Sequence, residues 1–394
     1  MITVKAPGKL YIAGEYAVVE TGQPAVIVAL NQFVTVRVEP AHGMGRIQSK
    51  QYQENSLIWR RQGDEMVFDN RDNPFHYILS AIHLTEAYAS EQGKPLRLFN
   101  LYVDSDLDSA DGRKFGLGSS AAVTVGTVKA LLQFYDLALS QEQIYKLSAI
   151  AHLDIQGNGS LGDIAASVFG GWIAYRSFDR EWLRAQRNLV SLSELLTMPW
   201  PGLDIELLTP PQSLRLLIGW TGSPASTSHL VDQIKAATSR SQAQYKQFLR
   251  RSRAVVEKLV QGFRDGNLAV IKQQISRNRF LLQQLSQFSH VHIETMKLSS
   301  LCDLAIQAGG AAKTSGAGGG DCGIVILDRT VDADALIAQW HKIGVQHLPL
   351  NVHLIQPPVV PRLREARSFC QQEKRSRFPC IFSEKYGRAL AYLL

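Results

Sequence analysis

Cysteine is scarce in this chain: four in 394 residues, at positions 302, 322, 370 and 380. No pair is spaced as C-x-x-C, which argues against a zinc site, and four cysteines make no disulfide framework. A reducing, cytoplasmic setting is expected. No uncharged apolar run approaches the roughly 18 residues of a spanning helix. The first ten residues carry Lys5, Pro7 and Lys9 and lack the apolar centre of a signal peptide. No internal repeat or long low-complexity tract occurs. The H-R-D and D-F-G runs of protein kinases are missing. So is a Walker A run, because neither Gly8-Lys9 nor Gly93-Lys94 is followed by Ser or Thr.

What is present is an ordinary globular composition, 45% apolar and 20% charged. The length suits two domains or one large two-lobed unit. The net charge of +7 could point to nucleic acid or an anionic surface. Its placement argues otherwise. Residues 355–394 hold eight Lys/Arg (362, 364, 367, 374, 375, 377, 385 and 388) against three acids (365, 373 and 384). The remainder holds 34 basic and 32 acidic residues, so the body is nearly neutral. No nucleic-acid partner is expected. Segment 354–394 reads as a basic, disordered extension.

Phe33–Glu39 alternates, with Val34, Val36 and Val38 on one face of a strand. Leu96–Val103 is a second strand, and Pro74–Gln92 has helical spacing. From Ser119 the pattern is helical through Leu132. Ser140 and Gln143 form a capping box before a helix over 144–153. A further helix opens at Ser160–Gly162, ends at Gly170-Gly171 and leads into a strand at Trp172–Tyr175. Residues 189–211, rich in Pro, Leu and Ser, read as a junction. Beyond it come a strand at 214–219, helices at 241–264, 269–287 and 293–308, a strand at 322–327 and a helix at 333–342. Strands and helices fall in blocks, which predicts an α+β fold.

Four segments carry chemistry. Gly116-Leu117-Gly118-Ser119-Ser120-Ala121 is a glycine loop opening into a helix. Glycine lets backbone approach a phosphate, and the helix end offers unpaired N–H groups and a positive dipole. A plain loop with Ser as helix cap is the alternative. The same loop matches a dinucleotide fingerprint, but it lacks the tight strand-to-helix turn that motif needs. Pro7-Gly8-Lys9 places a lysine before an apolar strand, as a phosphate ligand or a solvated charge. Lys313 to Cys322 includes four glycines in five residues, at 316 and 318–320. It is either a close approach to ligand or a flexible turn. Asp321 there would repel phosphate unless it faces away or caps a turn. Asn158 to Asp163 puts an acid in a first helical turn, a favourable place whatever its function.

In this order, Pro-Gly-Lys…Gly-Glu-Tyr, Gly-Leu-Gly-Ser-Ser-Ala-Ala and Lys-Thr-Ser-Gly-Ala-Gly-Gly-Gly-Asp-Cys resemble the galactose/homoserine/mevalonate/phosphomevalonate (GHMP) small-molecule kinases over about residues 1–350. Gly-Glu-Tyr at 14–16, Lys114-Phe115 before the loop, and Gly219-Trp220-Thr221 followed by Ser228-His229 resemble the bacterial phosphomevalonate-phosphorylating branch. The resemblance implies a two-lobed fold. An N-terminal lobe like ribosomal protein S5 domain 2 would span 1–186, and a ferredoxin-like α/β-sandwich lobe 187–353. It implies ATP and Mg²⁺ as cofactors and phosphomevalonate as acceptor, in isoprenoid precursor synthesis. Lys9 and Asp163 would be catalytic. Gly116, Leu117, Gly118, Ser119, Ser120 and Ala121 would hold ATP, with Ser120 also on the metal. Tyr16, Lys114, Ser228, His229, Ser315, Gly316, Ala317 and Gly318 would face the acceptor. Where some relatives offer Mg²⁺ a glutamate from the preceding helix, this chain has His152 and Asp154.

A phosphate monoester has its second pKa near ~6, so an attacking phosphate oxygen needs no base at neutral pH. Asp163 is therefore expected to orient Lys9 or the metal. Mevalonate kinase, diphosphomevalonate decarboxylase and a non-catalytic sensor of the same fold are the alternatives.

Overall fold

The computed structural model describes residues 1–354 except 51–55, 69–73, 108–114, 223–226 and 240; the side chains of 227 and 228 are also left aside. Residues 1–354 make one compact unit. Residues 355–394, where a disordered extension was expected, lie outside the described residues, as does Lys114.

The first part runs β1 (Ile2–Ala13), a 3-10 turn (Ala17–Val19), β2 (Pro24–Pro40), β3 (Gly45–Ser49), β4 (Ser56–Gln62), β5 (Glu65–Phe68), α1 (His76–Glu91) and β6 (Phe99–Ser105). It continues through α2 (Ser119–Phe134), α3 (Gln141–Gln156), α4 (Gly162–Phe169), β7 (Trp172–Arg176), α5 (Arg180–Gln186), α6 (Leu192–Thr197) and β8 (Asp204–Leu208). The second part holds β9 (Leu214–Trp220), α7 (Thr227–Thr238), α8 (Gln242–Arg264), α9 (Leu268–Ser289), α10 (Met296–Gln307), β10 (Ala311–Thr314), β11 (Cys322–Asp328), α11 (Ala333–Lys342) and β12 (Gln346–His347).

The first sheet has the order β5-β4-β3-β6-β2-β7-β8, with β1 on the other side of β2. Its pairs are antiparallel except β3 with β6. Val34, Val36 and Val38 of β2 are buried as their alternation predicts. Helix α2 packs against β1, β2 and helices α1, α3 and α4. Its buried side chains include Ala121, Ala122, Val125, Val128, Leu131 and Leu132, so it is apolar nearly all round, as a central helix must be. This packing holds its N-terminus in place. The Ser140–Gln143 capping box starts α3, with both reciprocal bonds present.

The second sheet has the order β10-β11-β9-β12, all antiparallel, with α10 and α11 packed on it and α9 against β10. Two lobes are thus built on two sheets, as the resemblance implies. The first sheet continues beyond the junction expected at 186, because β8 pairs with β7 from Trp172–Leu208 to Arg176–Asp204. The stretch 189–211, read from the sequence as a junction, therefore contains a helix and a strand. Its Leu-rich pattern packs α6 and extends the sheet. After β12 the chain returns to β2, where His353 N–H donates to the Ala29 carbonyl at 2.9 Å. No helix among the described residues is long and apolar enough to cross a membrane.

Candidate active site

The register between β1 and β2 shifts between Pro7 and Lys9. Past the shift, Lys9 N–H donates to the Leu117 carbonyl at 2.8 Å, so the strand is stitched to the glycine loop. The Lys9 side chain is only 9% exposed. Its Nζ donates to the Gly116 carbonyl at 3.3 Å and lies 5.5 Å from the Tyr11 ring centroid. Gly118 makes room for it. Gly118 has φ +80°, and a Cβ there would lie 2.9 Å from Lys9 Cε. A side chain at 118 would be strained in its backbone and would push the lysine stem aside.

Gly118 is also the N-cap of α2, and no side chain caps that helix. Neither Ser119 nor Ser120 is the cap, so the plain-cap alternative does not hold. The first-turn N–H groups have no intrahelical partner and leave a positive end open. Ser120 instead meets α3: its Oγ lies 3.2 Å from His152 Nε2. His152 is buried and stacks on Tyr77, ring centroids 4.8 Å apart. Burial lowers its pKa, and Asp163 acts in the opposite direction.

Asp163 stands in the first turn of α4 and is half-buried. Its Oδ1 accepts from Ile164 N–H at 3.0 Å. It makes no ion pair within 4.0 Å among the described residues. Lys9 and Asp163 share a cavity with no ion pair or hydrogen bond between them among the described residues, so Asp163 does not orient Lys9 through a direct bond. A hydroxyl ladder anchors the loop before α4. Tyr11 Oη meets Ser160 Oγ at 2.6 Å, Tyr175 Oη donates to the Ser160 carbonyl at 2.5 Å, and Tyr145 and Tyr175 hydroxyls are 2.9 Å apart. Burial above all, and then the Asp163 charge for Tyr11 and the Tyr145 hydroxyl for Tyr175, raises both phenol pKa values, so both stay neutral.

The third wall comes from the second sheet. Lys313 on β10 is fully buried and paired with Glu15, and it donates to the Thr314 carbonyl at 2.6 Å. Ser315 Oγ donates to the Tyr11 carbonyl at 2.7 Å. Tyr16 Oη donates to the Ala317 carbonyl. The flexible-turn alternative therefore does not hold: Ser315 ties the loop to β1, and Tyr16 ties it to the chain just after β1. Asp321 has φ +50° and its carboxylate lies against Gly116, while its carbonyl accepts from Thr221 N–H at 2.9 Å.

These walls enclose a cavity of about 360 Å³. Lys9, Tyr16, Gly116 to Ser120, Asp163 and Ser315 to Ala317 all line it. Ala121 is buried behind the loop and does not. Gly318 also stays behind the wall, where a Cβ would overlap the Ile293 carbonyl; its glycine serves packing. His229 is exposed on α7 and pairs with Gln233 at 2.9 Å instead of lining the cavity. Ser228 and Lys114 lie outside the described side chains.

Residues 76–171 match the GHMP kinases N terminal domain and 259–346 the GHMP kinases C terminal domain. A phosphomevalonate kinase of Streptomyces sp. (strain CL190) is 38% identical over 358 residues, covering 88% of this chain and 96% of that one. The chain belongs to the GHMP kinase family. Among solved structures, Streptococcus pneumoniae phosphomevalonate kinase in complex with phosphomevalonate and AMPPNP is 32% identical with a TM-score of 0.78. That match covers 90% of this GHMP kinase and all of the pneumococcal chain (100%). A mevalonate kinase of Pyrococcus abyssi is more distant, 28% identical over 331 residues, covering 82% of this chain and 87% of its own.

Several residues of this GHMP kinase site were not assigned to it from sequence. Tyr77, Tyr11, Ser160 and Glu15 line the cavity, Lys313 braces it, and His152, noted only as standing where some relatives carry a metal-binding glutamate, lines it too. Glu15 and Lys313 do sit within recognised motifs. Tyr77 lies on an ordinary helical pattern, which gives no sign of what it faces, and for His152 the sequence marked a departure from relatives without a role.

Proposed function

We propose that this GHMP kinase is a phosphomevalonate kinase, which transfers the ATP γ-phosphoryl group to (R)-5-phosphomevalonate. The products are (R)-5-diphosphomevalonate and ADP, in the mevalonate pathway. The observation that carries the reading is the cavity itself. It brings Lys9, the uncapped start of α2 and the 315–317 loop to one place, in a chain similar to a phosphomevalonate kinase over 88% of its length.

Phosphoryl transfer asks mainly for positioning and charge neutralisation. In this reading the loop 116–120 and the α2 N-terminus hold the triphosphate. Lys9 neutralises charge at the transferred group. Ser315 to Ala317 and Tyr16 flank the acceptor. Asp163 serves as an orienting carboxylate, because the dianionic phosphate attacks without losing a proton. Lys114 and Ser228 remain acceptor-site assignments of the same reading.

Mg²⁺ prefers oxygen ligands and keeps waters and phosphates in its shell. Ser120 Oγ and the Asp163 carboxylate are oxygen donors on one cavity wall, and Asp163 carries no cationic partner among the described residues. They fit such an ion. Asp154 does not, since it is bound by Arg187. When bound, the metal would offset phosphate charge. An ATP-consuming enzyme of this kind belongs in the cytoplasm, where ATP is available.

ADP release measured with phosphomevalonate, mevalonate and diphosphomevalonate tests the proposal. Turnover is expected with phosphomevalonate. A preference for mevalonate would replace the reading with mevalonate kinase, and nucleotide binding without turnover would favour a sensor.

A further inference from the structure

Helix α3 presents His152 and Gln156 to the cavity, and no carboxylate. His152 is 1% exposed, and its Nδ1 has no hydrogen-bond partner among the described residues. Its Nε2 faces Ser120 Oγ at 3.2 Å. These facts choose a tautomer. A neutral imidazole carries one N–H. On Nδ1 that N–H would be a buried donor with no acceptor. On Nε2 it has Ser120 Oγ to bond, and Nδ1 is left as a bare acceptor, which costs less.

The choice has a consequence for Ser120. A hydroxyl that accepts from His152 keeps its own hydrogen to donate. Ser120 lies in the first turn of α2, with its other side on the cavity. Phosphate oxygens are acceptors only, so a donor pointing at them is favourable. Were the serine to donate to the imidazole, lone pairs would face the phosphates.

We propose that His152 is a positioning residue, which donates from Nε2 to Ser120 Oγ and turns the serine hydrogen toward the nucleotide phosphates. The ring stack on Tyr77 holds the imidazole in that orientation. The proposal rests on the kinase reading above and names a further residue on which its nucleotide site depends.

The test compares His152→Gln and His152→Met, which are close in size. Gln can place a donor near the Nε2 position, and Met cannot. Both are made with Ser120 intact and with Ser120→Ala. Readouts are kcat, KM for ATP, calorimetric affinity for ADP in EDTA and with magnesium, and melting temperature. With Ser120 intact, His152→Met should lose about tenfold or more in kcat/KM and weaken ADP in both buffers. His152→Gln should keep most of each. With Ser120→Ala, the Met and Gln variants should be nearly equal. Equal losses for Met and Gln at similar melting temperature would overturn the proposal. So would the same Met-against-Gln difference in the Ser120→Ala background. A wild type that releases no ADP would overturn the kinase reading and this proposal together; an active wild type with additive variants would overturn this proposal alone.

Discussion

Glu15 and Lys313 lie 298 residues apart and form a buried ion pair between the chain just after β1 and strand β10. Glu15 Oε2 has no partner among the described residues, and Lys313 has a second bond to the Thr314 carbonyl. The pair ties the loop 315–317 to the strand that carries Lys9. Removing one partner leaves a buried charge unmatched. Lys313→Met is expected to cost roughly 3–5 kcal/mol. Urea unfolding measures it, and the double variant Glu15→Leu/Lys313→Met should recover part of the loss. A single variant as stable as wild type would show that the pair contributes nothing.

Gly118 combines a left-handed backbone with close contact to the Lys9 stem. Gly118→Ala should therefore reduce kcat by tenfold or more, in line with roughly 100-fold for a 1 Å misplacement. The stability loss should stay near ~1 kcal/mol. Steady-state kinetics alongside thermal melting separates the two. Unchanged kcat would mean that the lysine position tolerates the displacement.

Asp163 makes no ion pair or hydrogen bond with Lys9 among the described residues, and its proposed task is orientation. Asp163→Asn should lower kcat at every pH. The acidic limb of kcat/KM should stay near pH ~6 in both proteins, where the substrate phosphate ionises. Loss of that limb in the variant, with substrate ionisation controlled for, would make Asp163 a base.

Lys129 on α2 is largely buried, and desolvation pushes its amine down to about 8. Its Nζ donates to the Val168 carbonyl at 3.3 Å near the end of α4. Its pKa is lower folded than unfolded, so the charged form opposes folding. That cost is full below pH ~8 and fades as pH rises toward ~10.4, the unfolded value. Lys129→Met should then gain roughly 1–3 kcal/mol at pH 7, after losing one hydrogen bond. The gain should shrink by pH 10. Urea titrations at the two pH values check the sign, and a less stable variant at pH 7 would refute it.

Much of this molecule was legible without coordinates. The valines of β2, the capping box at Ser140 and the glycine loop before α2 are local patterns. Backbone geometry and solvent exposure act on neighbours in sequence, so such patterns report them directly. The glycine loop and the Pro-Gly-Lys turn were each candidate phosphate contacts with a plain alternative, and only their combination in the family resemblance favoured phosphate chemistry. The pairings were beyond that reach. Tyr16 with Ala317, Ser315 with Tyr11, His152 with Ser120 and Glu15 with Lys313 join residues from different elements, most of them from distant parts of the chain. No spacing marks them, since each exists only after two sheets and a central helix have packed. The same packing left His229 and Gly318 off the cavity wall, and it gave the 189–211 stretch a strand. The sequence by itself determined which segments could meet a phosphate. Only the tertiary structure decided which side chains face one another across the cavity, because burial and register act between distant parts of the chain.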